Sequence, residues 1–272
     1  MHKRTLSAVY YLVCFALAAV FVAPLVWSAW TSIQPQAGTS QTTGIGLGNY
    51  NALVQFKPGL ARYLINSLIV SGLTVLGTLI VSTLGGYAFA RYRFRGKNLL
   101  FLVTLAILMV PYATILIPLY VLLGKIGLQG SLVGLGLVLV MFQLPFATFM
   151  MRIAFEAVPA ELDEAALIDG CTSFGALRRV LLPAVTPGLI TVGLFAFLAS
   201  WNDFVAPLIL LNDQRKFTLP LAIVTLEQES FGGINYGAIE AGVVLSAIPC
   251  LILFLALQRH YVRGFMSGAL RG

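Results

Sequence analysis

Long apolar stretches alternate along this chain with short segments that hold nearly all of its charged residues. A helix needs about 20 apolar residues to cross the hydrocarbon core of a bilayer. Six stretches are long enough, and their apolar residues are continuous, which favours helices over the alternating strands of a transmembrane barrel. We predict an all-α membrane protein, a single domain over residues 1–272, with spans at about residues 9–31, 64–90, 98–122, 128–151, 183–208 and 240–259.

The composition supports this assignment. Hydrophobic residues make up 59% of the chain and charged residues 10%, whereas soluble domains carry about 25% charged residues. This balance excludes a soluble enzyme and a disordered chain. The first apolar stretch is too long for a cleaved signal peptide and ends in Trp27 and Trp30, which suit a membrane interface. We therefore expect an uncleaved first span.

Lysine and arginine predict the orientation of the spans, because cytoplasmic loops are enriched in both. With the N-terminus in the cytoplasm, 12 of the 17 basic residues fall on that side, including those of RYRFRGK at 91–97. Both termini and residues 152–182 are then cytoplasmic, and residues 203–240 lie outside. This topology accounts for the net charge of +7, so we expect no nucleic-acid partner.

Motifs for bond-making chemistry are absent from the sequence. It contains no G-x-x-x-x-G-K-[ST] phosphate loop, no H-E-x-x-H zinc motif and no G-x-S-x-G nucleophile motif. His2 and His260 lie near opposite ends of the chain and the three cysteines are widely spaced, so neither set indicates a metal site. We expect no catalytic residue, metal or cofactor here, and transport against a gradient would need energy from another chain.

The predicted cytoplasmic segment 152–182 has the pattern of a helix-turn-helix. Pro159 suits the first turn of a helix, and three acidic residues follow where the helix dipole favours them. Gly170 is placed to end that helix in a left-handed conformation, and Thr172 or Ser173 can cap a second helix. Two neighbouring alanines leave little bulk on the first helix, so a partner's groove could close around that face. The alternative is a pair of interfacial helices without a partner.

The spacing E-A-A-x-x-D-G-x9-[hydrophobic]-x-L-P in this segment resembles the EAA signature of permeases in bacterial binding-protein-dependent ABC importers. Val180 stands where isoleucine is commoner. The stretches 65–72, 200–210 and 258–272 are similar to the carbohydrate subgroup, in particular to its smaller, maltose-permease-like subunit. The matching signature residues are Glu164, Ala165, Ala166, Asp169, Gly170, Val180, Leu182 and Pro183.

The resemblance implies a type I importer permease in the bacterial inner membrane, surrounded by lipid. A homologous second permease would complete a heterodimer, and two ATP-binding cassette subunits, which bind ATP and Mg²⁺, would dock on the cytoplasmic side. The helix around Glu164 would sit in a cleft of one of them, and Arg263, Gly268 and Arg271 of the C-terminal tail would contact it. An extracytoplasmic solute-binding protein would deliver the solute.

The sequence therefore indicates a permease for a sugar or sugar derivative, with Gln143, Trp201, Asn202 and Asp203 as candidate pathway residues. Trp201 could equally be an interface anchor. One alternative is a permease for another solute, such as a glycerol phosphodiester or a polyol. An intramembrane lipid- or glycan-modifying enzyme would need a carboxylate or histidine cluster at one membrane face. A non-transporting scaffold would purify without an ATPase.

The topology predicts labelling from one side only. In a variant that lacks the native Cys14, Cys171 and Cys250, Gln214→Cys should react with a membrane-impermeant maleimide only from outside. As the matched control, Glu161→Cys should react only from the cytoplasmic side. Labelling of residue 214 from the cytoplasm alone would contradict this topology.

Overall fold

A computed structural model describes the backbone of residues 2–35, 45–229 and 235–269, and the side chains of residues 10–35, 45–226 and 235–258. Within these residues the regular structure is helical. The α-helices are α1 His2–Ser32, α2 Gly48–Gln55, α3 Leu60–Arg91, α4 Lys97–Ala106, α5 Tyr112–Lys125, α6 Leu132–Glu156, α7 Glu161–Ile168, α8 Ser173–Ala176, α9 Leu182–Ala184, α10 Thr186–Trp201, α11 Val205–Leu210, α12 Leu219–Glu229 and α13 Tyr236–Ala269.

Four of these helices, α1, α3, α6 and α13, contain unbroken segments long and apolar enough to cross a membrane. Two further candidates are bent pairs. Lys97–Met109 meets Tyr112–Lys125 at 103°, and Ser173–Ala184 meets Thr186–Trp201 at 78°. The predicted number of six spans holds if each bent pair crosses once. The predicted single domain over residues 1–272 stays a prediction.

The predicted span at 98–122 is not one straight helix. A 3-10 turn at Ile107–Met109 follows α4, and Val110 is extended with φ −80° and ψ 126°. Pro111 has no N–H to donate, and its ring disfavours helical geometry in the residue before it. The helix therefore stops at this proline, and α5 begins in a new direction.

The predicted span at 183–208 also differs, because its helix runs only from Thr186 to Trp201. Pro183 belongs to the preceding short helix α9. Pro187 cannot donate a hydrogen bond to the carbonyl of residue 183 and its ring would collide with that carbonyl, which favours the bend at residue 185. Pro207 has the same effect on residue 203 and separates α11 from α10.

Two compact units make up the chain, one formed by residues 1–62 and 222–249 and the other by residues 63–221 and 250–272. In the first unit, the Asn49 side-chain amide donates hydrogen bonds to the carbonyls of Ser32 and Gln34, each at 2.9 Å, and so fixes α2 to the end of α1. Leu53 packs with Ala238 and Ala241 of α13.

In the second unit, α3, α6 and α10 pack closely through small residues. A Cβ at Gly77 would lie 2.7 Å from a methyl group of Val140, and one at Gly188 would lie 2.8 Å from the Cβ of Ala154. At Gly86 it would lie 2.6 Å from the Cβ of Met151 and 2.9 Å from the backbone nitrogen of Arg152. Small residues are what allow backbones to approach in this way within membranes.

The Gly86 contact predicts that alanine substitutions at two glycines of α3 have different effects on stability. Gly86→Ala should destabilise the protein by about 1–3 kcal/mol, because the new methyl group meets backbone atoms that cannot rotate away. Gly72→Ala is the matched control, since a Cβ at residue 72 has no described atom within 4 Å. Thermal unfolding of both variants in detergent tests this. Equal stability of the two variants would contradict the packing.

Candidate functional site

Helix α7 is defined by charge at its start and by a glycine at its end. Glu161, Asp163 and Glu164 occupy its first turn, where the helix dipole favours negative charge. No described side chain caps this end of the helix. Gly170 has φ +83°, its N–H bonds to the carbonyl of Leu167 at 3.1 Å, and the next N–H bonds to that of Ala166 at 3.0 Å. These two bonds form a Schellman motif, which confirms the predicted left-handed end.

The second helix of the loop begins at a threonine cap. The Thr172 hydroxyl accepts a hydrogen bond from the N–H of Gly175 at 3.1 Å, so of the two predicted caps Thr172 is the one used. Helix α8 then passes into a π-helical turn at Leu177–Leu181 before α9. Such turns are rare and often found at functional sites.

The signature residues divide between surface and interior. Val180 and Leu182 are half-buried, and Ala166 is only 5% exposed. The exposed members are Glu164, Ala165, Asp169, Gly170 and Pro183. The two alanines therefore do not share one open face, because consecutive residues of a helix point about 100° apart.

Large apolar side chains that are not among the predicted site residues are exposed beside the Gly170 turn. Ile168 is 85% exposed and Phe174 is 67% exposed. Leu177 and Leu181 of the same segment are buried, whereas Phe174 is not. The available signal was an apolar residue on each side of a glycine turn, in an otherwise charged segment.

Beneath this surface lies an apolar cluster, which we call the basal cluster: Ala147, Met151, Phe155, Val158, Leu177, Leu181, Val185 and Val192. Its residues come from α6 and the turn after it, from the π-helical turn, from the bend at Val185 and from α10. Phe155 and Leu181 have no exposed surface. The loop is therefore packed onto the ends of two long helices.

An ion pair also holds α7. The Arg91 Nε, at the end of α3, lies 2.7 Å from Asp163 Oδ2. The Arg91 Nη2 donates a hydrogen bond of 2.8 Å to the carbonyl of Val158, in the turn that leads into α7. Both side chains of the pair are largely shielded from solvent, at 15% and 16% exposure.

The candidate pathway residues have different environments. Trp201 is 1% exposed, and its ring stacks on Phe197 with centroids 5.4 Å apart. Gln143 lies half-buried in α6, two residues before Pro145. Asn202 is exposed, and its side-chain amide donates to the carbonyl of Leu198 at 2.8 Å. The pathway role of these residues stays a prediction.

Asp203 connects two helix breaks. Its Oδ1 accepts the N–H of Ala206 at 3.1 Å and so caps α11. Its Oδ2 accepts a hydrogen bond from the hydroxyl of Tyr112, the first residue after the break at Pro111. The structure thus brings together the ends of α5 and α10, which the sequence alone did not relate.

The structure describes only the backbone of most of the C-terminal tail. The backbone of α13 extends to Ala269, but the side chain of Arg263, the contacts of Gly268 and the whole of Arg271 lie outside the described residues. Their predicted contact with another subunit stays a prediction.

Comparison with known proteins gives consistent results. Residues 82–266 match the family described as binding-protein-dependent transport system inner membrane component. The chain is 34% identical over 256 residues to the diacetylchitobiose uptake system permease protein DasC of Streptomyces coelicolor, covering 92% of each. It is 32% identical over 254 residues to the trehalose transport system permease protein SugB of Mycobacterium tuberculosis, again covering 92% of each.

A solved structure shares the fold. It belongs to a bacterial ABC transporter involved in the import of the acidic polysaccharide alginate, and the similarity has a TM-score of 0.80 at 21% identity. It covers 96% of this chain and 98% of that one. At this identity the similarity shows the type I importer permease fold alone.

Proposed function

Because the chain belongs to the family of binding-protein-dependent transport system inner membrane components, we propose that it forms half of the pathway of an ATP-driven importer for a sugar or sugar derivative. It is a non-catalytic permease subunit, which sets aside the intramembrane enzyme. The relatives named for diacetylchitobiose and trehalose support a carbohydrate solute. The surface around Gly170 carries the proposal, because it offers a partner a place to act on the membrane helices.

The partners follow from this role. An importer permease of this family works with ATP-binding subunits and a solute-binding protein. We further propose that a homologous second permease completes the pathway, that ATP and Mg²⁺ bind the partner subunits, and that both termini are cytoplasmic. The count of basic residues supports the orientation.

The surface around the Gly170 turn has the chemistry of a protein interface. Ile168 and Phe174 are exposed in the segment 152–182, which the topology predicts to be cytoplasmic, and water makes large exposed apolar groups costly unless a partner covers them. Glu164 and Asp169 are exposed beside them and supply polar contacts for the rim. The occupant that we propose is the cleft of an ATP-binding subunit.

Movement of this surface would reach the membrane through two rigid connections. The basal cluster joins the π-helical turn to α6 and α10 by close packing, and closely packed groups transmit displacement instead of absorbing it. The chain itself joins α9 to α10 across the bend at Val185. A push on α7 and α8 would therefore tilt α10 instead of only bending a loop.

We propose that the solute pathway runs past the helix breaks. Broken helices commonly line transport sites in membranes, because their free polar groups face a cavity there. Asn202 is exposed at the end of α10, next to Asp203 and its bond to Tyr112. Amide and carboxylate groups can hydrogen-bond to sugar hydroxyls. The aromatic ring of Trp201 is buried and would support this site from behind.

A substitution in the turn tests the coupling role. Gly170→Val forces a β-branched residue into positive φ, which costs about 1–2 kcal/mol, or about tenfold in the population of the native turn. In the complex reconstituted with its ATP-binding subunits and binding protein, we expect binding-protein-stimulated ATP hydrolysis and solute uptake to fall together. The isolated chain should hydrolyse no ATP.

Gly127→Val is the matched control. Gly127 has φ +72° in the turn between α5 and α6, and neither glycine has a described atom within 4 Å of an added Cβ. The strain is the same, but the turn lies away from the proposed docking surface, so uptake should be retained. Normal assembly and uptake in Gly170→Val would contradict the coupling role.

A further inference from the structure

Arg91 joins two helices that are far apart in sequence. Its Nε is 2.7 Å from Asp163 of α7, and its Nη2 donates to the carbonyl of Val158 at 2.8 Å. One guanidinium therefore holds both the first turn of α7 and the turn before it. Its planar, forked geometry suits two simultaneous contacts in a way that an ammonium group does not.

The end of α3 is rigid where Arg91 leaves it. The backbone at Gly86 lies against Met151 and Arg152 of α6. One residue later, the ring of Tyr87 meets the ring of Phe155 edge-on, with centroids 5.5 Å apart. Phe155 belongs to the basal cluster. Arg91 thus extends from a fixed helix end, so its contacts can transmit a displacement that a flexible segment would absorb.

Other ion pairs among the described side chains do not make this connection. Arg152 pairs with Glu156 within α6, and Arg215 pairs with Asp213 two residues away. Arg95 is exposed four residues after Arg91, and no ion pair to it is found among the described side chains. Exposed pairs within one element contribute little and link nothing. The shielded Arg91–Asp163 pair differs in both respects.

We propose that Arg91 is a positioning residue that ties α7 to α3, so that displacement of α7 by an ATP-binding subunit moves α3 together with α10. This inference rests on the proposed docking of α7. Without the tie, α7 can still dock and stimulate ATP hydrolysis, but α3 no longer follows. The specific consequence is a loss of coupling, meaning fewer solute molecules transported for each ATP hydrolysed.

The ratio of uptake to ATP hydrolysis in proteoliposomes that contain the whole complex tests this. Arg91→Ala should lower the ratio several-fold while binding-protein-stimulated hydrolysis persists. Arg91→Lys keeps a charge for Asp163 but offers one nitrogen in place of the two that contact Asp163 and the Val158 carbonyl, so its ratio should be intermediate. The reversed pair, Arg91→Asp with Asp163→Arg, should recover part of the loss. Arg95→Ala, which removes the same charge nearby, should behave like the parent.

The outcomes that overturn the inference are distinct. A merely structural role would lower hydrolysis and uptake in parallel, and the unchanged ratio would overturn the proposal. If the complex with Arg91→Ala does not assemble, Arg91→Lys takes its place. A ratio of uptake to ATP hydrolysis in Arg91→Lys equal to that of the parent would then overturn the proposal. The proposed function fails separately, when Gly170→Val retains normal transport. Loss of transport in Gly170→Val with a parental ratio in both Arg91 variants would refute only the tie.

A distance measurement provides a readout independent of transport. Leu84 on α3 and Leu162 on α7 are both exposed and accept spin labels after replacement of Cys14, Cys171 and Cys250. In the whole complex, the distance between the labels should be the same without nucleotide and with ATP. In Arg91→Ala it should change when ATP binds. A distance that changes with ATP in the parent would show that α3 and α7 move independently.

Discussion

The segment 152–182 is held in place through one contact above all, which is the close approach of α3 to α6 at Gly86. Because residue 86 has no side chain, its Cα lies against the backbone of Met151 and Arg152. This places Arg91 within reach of Asp163 and Tyr87 against Phe155. A wider separation of the two helices would move Arg91 away from Asp163 and Tyr87 away from Phe155.

The hydrocarbon core imposes a second constraint, which explains the helix breaks. Each backbone polar group within it needs a partner from the protein. The prolines at 111, 187 and 207 lack the N–H that would otherwise pair with a carbonyl of the preceding turn. The chain responds by bending at these points and by filling the gaps with side chains. Asp203 caps α11 and also accepts the hydroxyl of Tyr112. The breaks are therefore mutually supported and need not weaken the fold.

Much of this architecture is predictable from local pattern. Apolar continuity predicted the long helices α1, α3, α6 and α13, and Gly170 was expected in the left-handed conformation that it adopts, because both are properties of short segments. The form and angle of the bends do not follow from local pattern, since a proline within an apolar stretch is compatible with a kink, a break or a helix start. The Arg91–Asp163 pair and the exposure of Phe174 depend on how distant segments pack, and a single sequence does not contain that information.

Two connections in parallel have a mechanical consequence that one alone would lack. The basal cluster and the bend at Val185 join the loop to α10, while Arg91 joins it to α3. With a single connection, a push on the loop could be taken up by rotation about that point. With two, the loop is tied at separate points, which favours a joint movement of α3, α7 and α10. A partner bound at the proposed docking surface around Gly170 would therefore act on both helices, and the small-residue contacts of α3 and α10 with α6 continue these connections along the helices.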